Sequence, residues 1–97
     1  MTHITLVCMG GFSTSILVKK MREAAEKDHI AVDIMATSES NFKKVANQTD
    51  ILLIGPQVSF IEKNMRLAYP TMKIAVIDSL DYGAMNGENV LAAALKL

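Results

Sequence analysis

Short apolar runs alternate along the chain with segments whose apolar residues recur every three or four positions. His3 to Cys8 (HITLVC) is rich in β-branched residues and predicts a strand. From Ser13 to Lys27, Leu17, Val18, Met21, Ala24 and Ala25 share one face of a helix. Lys19, Lys20, Arg22, Glu23, Glu26 and Lys27 cover the other as a solvated surface. Ala31 to Thr37 predicts a second strand, and Asp33 within it points to a sheet edge. Ser40 to Gln48 predicts a short helix with Phe42, Val45 and Ala46 turned inward. Asp50 to Gly55 (DILLIG) shows no alternation, the mark of a central parallel strand covered on both faces. Val58 to Ala68 predicts a third helix, with Val58, Ile61, Met65 and Ala68 on one side. Lys73 to Asp78 (KIAVID) predicts a fourth strand. Asn86 to Leu97 predicts a last helix, with Glu88 in its first turn, where the dipole favours an anion.

The order β-α-β-α-β-α-β-α predicts an α/β fold. It is a three-layer sandwich in which a four-stranded parallel open sheet, order 2-1-3-4, carries helices on both faces. The arrangement is flavodoxin-like, as in low-molecular-weight phosphatases. With 97 residues and no internal repeat or linker, residues 1–97 read as a single domain. In such sheets a ligand site forms beyond the carboxyl ends of the strands, where the winding reverses. Here that point lies between the first and third strands, flanked by Cys8-Met9-Gly10-Gly11 and by Gly55-Pro56-Gln57.

Composition narrows the function. Ten basic and ten acidic residues cancel, and no basic stripe or polybasic patch points to nucleic acid or an anionic membrane. No apolar run approaches the ~20 residues needed to cross a bilayer. The start, MTHITLVCMGG, lacks the charged and apolar regions of a signal peptide. The one cysteine forms no internal disulfide and no cysteine-only metal site. These features predict a cytoplasmic protein with neither metal nor cofactor.

The candidate chemistry sits in Cys8-Met9-Gly10-Gly11-Phe12-Ser13-Thr14-Ser15. Gly10 and Gly11 allow a close approach of the backbone to a ligand. Ser13 is a good helix N-cap. The first helical turn leaves amide donors unpaired, and with the dipole they make an anion site. The hydroxyls of Ser13, Thr14 and Ser15 add donors, so residues 9 to 15 form a cradle of phosphate size. The same setting is expected to lower the Cys8 pKa below its usual ~8.5 and favour the nucleophilic thiolate. A lone cysteine at a strand end also fits an inert core position. The diglycine and the three hydroxyls favour the reactive reading. A low-molecular-weight cysteine phosphatase would carry arginine six residues after its nucleophile, and here that position is Thr14. Without that guanidinium the loop suits a stored phosphoryl group better than a hydrolysed one.

At this point the residues resemble a family. LVCMGGFSTS, LLIGPQVSF and VIDSLDYGAMNGENVL, in that order, are similar to the IIB component of the bacterial phosphoenolpyruvate-dependent sugar phosphotransferase system, lactose/cellobiose (type 3) class. Met9 and Gly10 stand where members often have Ser or Ala. The resemblance implies a phosphotransferase subunit. Cys8 would accept a phosphoryl group from a phosphohistidine of a cognate IIA protein and pass it to a sugar bound by the membrane IIC permease. The sugar would be a β-glucoside, cellobiose, lactose or similar. The loop of Met9, Gly10, Gly11, Phe12, Ser13, Thr14 and Ser15 would bind the phosphoryl oxygens, with Gln57 and Tyr82 near the rim or touching a partner. The chain would be a monomer in transient complexes, at the inner face of the membrane through IIC.

Two competitors stand beside this reading: a relative of the low-molecular-weight phosphatases, and a non-enzymatic signalling module. His3 and His29 fall at the amino edge of the sheet and read as surface residues. Asp78 and Asp81 end the fourth strand, as caps and turn formers or as a general acid. Met9, Phe12 and Met85 read as an apolar docking patch or as ordinary packing.

Overall fold

The computed structural model describes residues 1–8 and 12–97, with the side chains of residues 12 and 13 left aside. Four strands, β1 (Thr2–Val7), β2 (Val32–Thr37), β3 (Ile51–Ile54) and β4 (Lys73–Val76), form one sheet in the order β2-β1-β3-β4. Every pairing is parallel. Ile4 lies between Ile34 and Ile51, and Leu52 pairs with Ile74. The helices are α1 (Phe12–Lys27), α2 (Glu39–Phe42), α3 (Glu62–Ala68), α4 (Ser79–Gly83) and α5 (Gly87–Leu95). The predicted sheet order and the three layers are those observed.

The alternation of side chains along each strand divides the core in two. Ile4, Leu6 and Cys8 of the first strand and its end face α1 and α5, with Leu17, Met21, Val90 and Leu91 packed against them. Val7, Leu52 and Ile54 face the other way, onto Phe42, Ile61 and Met65. All four residues of β3 are buried, as its unbroken apolar run requires. Thr5 is buried on the second face, where its Oγ1 lies 2.8 Å from Thr49 Oγ1. Thr49 Oγ1 in turn donates to the Val45 carbonyl at 2.9 Å.

Several element boundaries differ from expectation. The helix expected over 40–48 is broken into α2 and a 3-10 turn, Ala46–Gln48, joined through Val45 with φ −118°. Asn47 and Gln48 add no apolar residue that would hold the helix to the sheet. The helix expected from Val58 begins as a 3-10 segment, Pro56–Ile61, with Val58 non-helical, and becomes α-helical only at Glu62. Ala68, expected on its apolar side, is exposed. The short helix α4 was not anticipated. Ser13 was expected to cap α1 from outside and instead lies within the helix, which starts one residue earlier.

Arg22, expected as part of a solvated face, donates from Nη2 and Nε to the Ile34 carbonyl of edge strand β2, at 2.6 and 3.2 Å. Arg66 does the same on the opposite edge, donating to the Ile74 carbonyl of β4 at 2.7 Å while pairing with Glu62. Both edge strands therefore have a main-chain acceptor occupied by an arginine, which blunts edge-to-edge association.

Candidate active site

Cys8 follows β1 directly, at the carboxyl end of the sheet beside β3. Its neighbour there is Gly55, whose N–H donates to the Val7 carbonyl at 2.9 Å and so continues the pairing of β1 with β3. The fit is close. A Cβ added at Gly55 would lie 2.9 Å from Cys8 Sγ and 3.3 Å from Gln57 Oε1. Gly55 itself is extended, with φ −63° and ψ 144°, so it is the space and not the dihedral angles that calls for glycine. Pro56 then starts the 3-10 segment. Gln57 is exposed and borders the sulfur across Gly55.

From the other side, α1 brings Thr14 and α4 brings Tyr82. Both are buried, at 4% and 6% exposure, and their hydroxyl oxygens lie 3.4 Å apart. Tyr82 was expected near the rim, touching a partner, or in ordinary packing. It lies in the apolar cluster that contains Cys8, Leu17, Leu53 and Ile77, the packing reading. Its short helix is held at both ends. Asp78 caps it, accepting from Leu80 N and Asp81 N at 3.1 Å each. Met85 ends it with φ 54°, and Met85 N and Asn86 N return to the Tyr82 and Asp81 carbonyls at 3.1 and 2.9 Å. This is a Schellman-type stop with methionine in the left-handed position usually taken by glycine.

Cys8 is only 4% exposed. Burial pushes the Cys8 thiol above its ordinary range, because the thiolate loses solvation. The Thr14 and Tyr82 hydroxyls, and then the Gly55 main chain, favour the thiolate and pull the other way, with less effect. The expected lowering of the Cys8 pKa is therefore corrected: among the described residues, desolvation raises it and outweighs the polar neighbours. The expected cradle at Met9, Gly10 and Gly11 lies outside the described residues, as do the Phe12 and Ser13 side chains. Ser15 is exposed on α1, while the Thr14 hydroxyl is turned to Tyr82 and Cys8.

The remaining candidates have other roles. Asp78 is spent on its cap, and Asp81 Oδ1 accepts from Asn89 Nδ2 at 3.2 Å. His3 Nδ1 is 3.3 Å from Asp33 Oδ2, both exposed, at the amino edge of the sheet. His29 has φ 54° in the turn that ends α1. Met85 is half-buried against the α1 and α5 core. Among the described residues, no group of three His, Cys, Asp or Glu side chains could hold a metal ion. No described helix is long and apolar enough to cross a membrane.

Comparison with known proteins decides the family. Residues 3–93 match the family described as PTS system, lactose/cellobiose specific IIB subunit. The chain belongs to this IIB family. It is 34% identical to the oligo-β-mannoside-specific EIIB component of Bacillus subtilis, over 100% of this chain and 96% of that one. It is 38% identical to the galactose-specific EIIB component of Lactococcus lactis subsp. cremoris, over 97% of this chain and 94% of that one. The solution structure of a cellobiose-specific IIB component from Borrelia burgdorferi superposes with a TM-score of 0.82 at 36% identity, covering 98% of this chain and 89% of that one. The lactose-specific IIB domain from Streptococcus pneumoniae, at 15% identity, shares the fold with a TM-score of 0.87, over 98% of this chain and 95% of that one. As a IIB component the chain is part of a sugar phosphotransferase system.

Proposed function

We propose that Cys8 carries the phosphoryl group, taking it from a phosphohistidine of a cognate IIA protein and giving it to a sugar held by a membrane IIC permease. The observation that supports this most strongly is the position of the sulfur. It is the one thiol of the chain, at the switch point of a parallel sheet, with hydroxyls and a close glycine arranged around it in a IIB-family protein.

The exchange balances when it starts from the thiol. In loading, the sulfur attacks phosphorus, the P–N bond breaks, and the thiol proton passes to the departing imidazole nitrogen. In unloading, a sugar hydroxyl oxygen attacks phosphorus, the S–P electron pair returns to sulfur, and the hydroxyl proton restores the thiol. The phosphoryl transition state is loose, so the protein contributes mainly positioning and dipoles aimed at the charge. The loop of Met9, Gly10, Gly11, Phe12, Ser13 and Ser15 would hold the phosphoryl oxygens, and Gln57 would stand beside them. Thr14 in the arginine position of a phosphatase leaves hydrolysis without its guanidinium clamp.

The sugar is selected elsewhere. Relatives of 34–38% identity are named for oligo-β-mannoside, galactose and cellobiose. Such different sugars on similar chains support a reading in which the permease sets specificity and holds the protein at the inner membrane face.

The test is uptake. In cells whose chromosomal copy carries Cys8→Ala, accumulation of the cognate sugar phosphate falls to background, and a plasmid copy of the wild type restores it. Uptake at the wild-type rate in the Cys8→Ala strain would leave the chain a non-enzymatic module and end the proposal.

A further inference from the structure

We infer that Gln57 is a catalytic residue of the transfer: its side-chain amide, lying across Gly55 from the Cys8 sulfur, donates a hydrogen bond to an oxygen of the phosphoryl group carried there. The inference rests on the reading of Cys8 as the phosphoryl carrier.

The placement is read at Gly55. The point where an added Cβ would stand lies 2.9 Å from Cys8 Sγ and 3.3 Å from Gln57 Oε1. Sulfur and amide therefore flank the same small gap, and they are no further apart than those two distances laid end to end. A phosphoryl group on the sulfur, with a hydrogen bond of about 2.9 Å to one of its oxygens, spans a gap of that size. The main chain brings the side chain there. Gly55 N–H continues the pairing of β1 with β3, and Val58 N–H donates back to the Gly55 carbonyl at 3.0 Å. Pro56 fixes the turn between them, so Gln57 leaves the sheet at the strand end beside Cys8.

The chemistry of the group fits the task. A glutamine amide carries two N–H donors and one acceptor oxygen, and its terminal torsion is soft and roughly two-fold. Nε2 therefore takes the place of Oε1 when a phosphoryl oxygen arrives. The side chain is exposed, so the core does not depend on it and an incoming phosphoryl group meets it from solvent. A neutral donor also suits a carrier, which must release what it holds. A guanidinium binds phosphate through two charge-assisted bonds, each roughly twice as strong as a neutral one. This chain has Thr14 where a phosphatase has arginine, and the Gln57 amide supplies a hydrogen bond without the positive charge. In a loose transition state the charge sits on the equatorial oxygens, and a donor at one of them holds phosphorus in line for transfer.

The test compares Gln57→Leu with Gln57→Glu in the full chain. Both should keep the wild-type urea midpoint, because the position is exposed. In phosphorylation by the phosphorylated IIA protein, Gln57→Leu should lower the limiting rate roughly tenfold and leave the half-saturating IIA concentration unchanged. Gln57→Glu keeps the shape of the side chain but sets a carboxylate against the phosphoryl oxygens, so it should be slower still. In the wild type, the Gln57 side-chain amide protons, followed by NMR, should move downfield when Cys8 is phosphorylated. A raised half-saturating concentration at an unchanged limiting rate would make the side chain a partner contact and overturn the inference. So would a rate for Gln57→Glu at or above that of Gln57→Leu, or amide protons that stay in place in the phosphorylated protein. A wild-type protein that takes up no phosphoryl group, or a Cys8→Ala variant that takes one up as well, would strike at the proposed function instead.

Discussion

Gly55 shows how one missing methyl group places the sulfur. An added Cβ would meet Sγ at 2.9 Å and the Cys8 Cβ at 3.2 Å. The sulfur is the free end of a short side chain, so it would rotate aside and the backbone would hold. Gly55→Ala is therefore expected to cost only about 0.5–1.5 kcal/mol of stability, the range for a side chain pushed off its rotamer. The same rotation takes the sulfur from the Thr14 and Tyr82 hydroxyls, and phosphoryl acceptance should fall by roughly a hundredfold. Urea unfolding and the rate of phosphorylation, measured on one preparation, separate the two effects. At this scale Cys8 and Gly55 were legible from their places after two strands. The upward push on the Cys8 pKa was not, because the sequence reports the helix that would stabilise a thiolate but not the burial that opposes it. Nor was the enclosure of Tyr82, since Leu80-Asp81-Tyr82-Gly83 reads as a turn, and only the Asp78 cap and the Met85 stop make it helical.

Glycines also decide how the elements meet. Gly87 opens α5 against α1, and a Cβ there would lie 2.5 Å from both the Lys20 carbonyl carbon and Met21 N. Those are main-chain atoms, so relief requires one helix to move. Gly83, in α4, has nothing within 4 Å of the same added atom. Gly83→Ala should stabilise by about 0.4–1 kcal/mol through the unfolded chain and helix propensity. Gly87→Ala should destabilise by about 1–3 kcal/mol, the usual cost of overpacking, despite the same gain in propensity. Opposite shifts of the urea midpoint check the pair. Shifts of the same sign would contradict the proposed packing of α1 on α5. The periodic helices α1 and α5, and the unbroken apolar run of β3, were legible to within a few residues. Of the segments that broke, 40–48 has only Phe42, Val45 and Ala46 to turn inward, and 56–61 takes its course from Pro56 and the non-helical Val58.

At the scale of the molecule, the sheet order followed from rules of connection. Four short strands with crossovers between them, and the most apolar one third in sequence, leave few arrangements that bury β3 and keep Asp33 at an edge. That order places the ends of β1 and β3 side by side and leads to the account's central claim, that one sulfur there bears a covalent phosphoryl group. Intact-protein mass spectrometry tests this most directly, after incubation with phosphoenolpyruvate, the general relay proteins and the cognate IIA protein. The wild type should gain the mass of a single phosphoryl group, placed on Cys8 by fragmentation, and Cys8→Ala should gain none. An unchanged wild-type mass with every relay protein active, or a phosphoryl group that persists in Cys8→Ala, would contradict it.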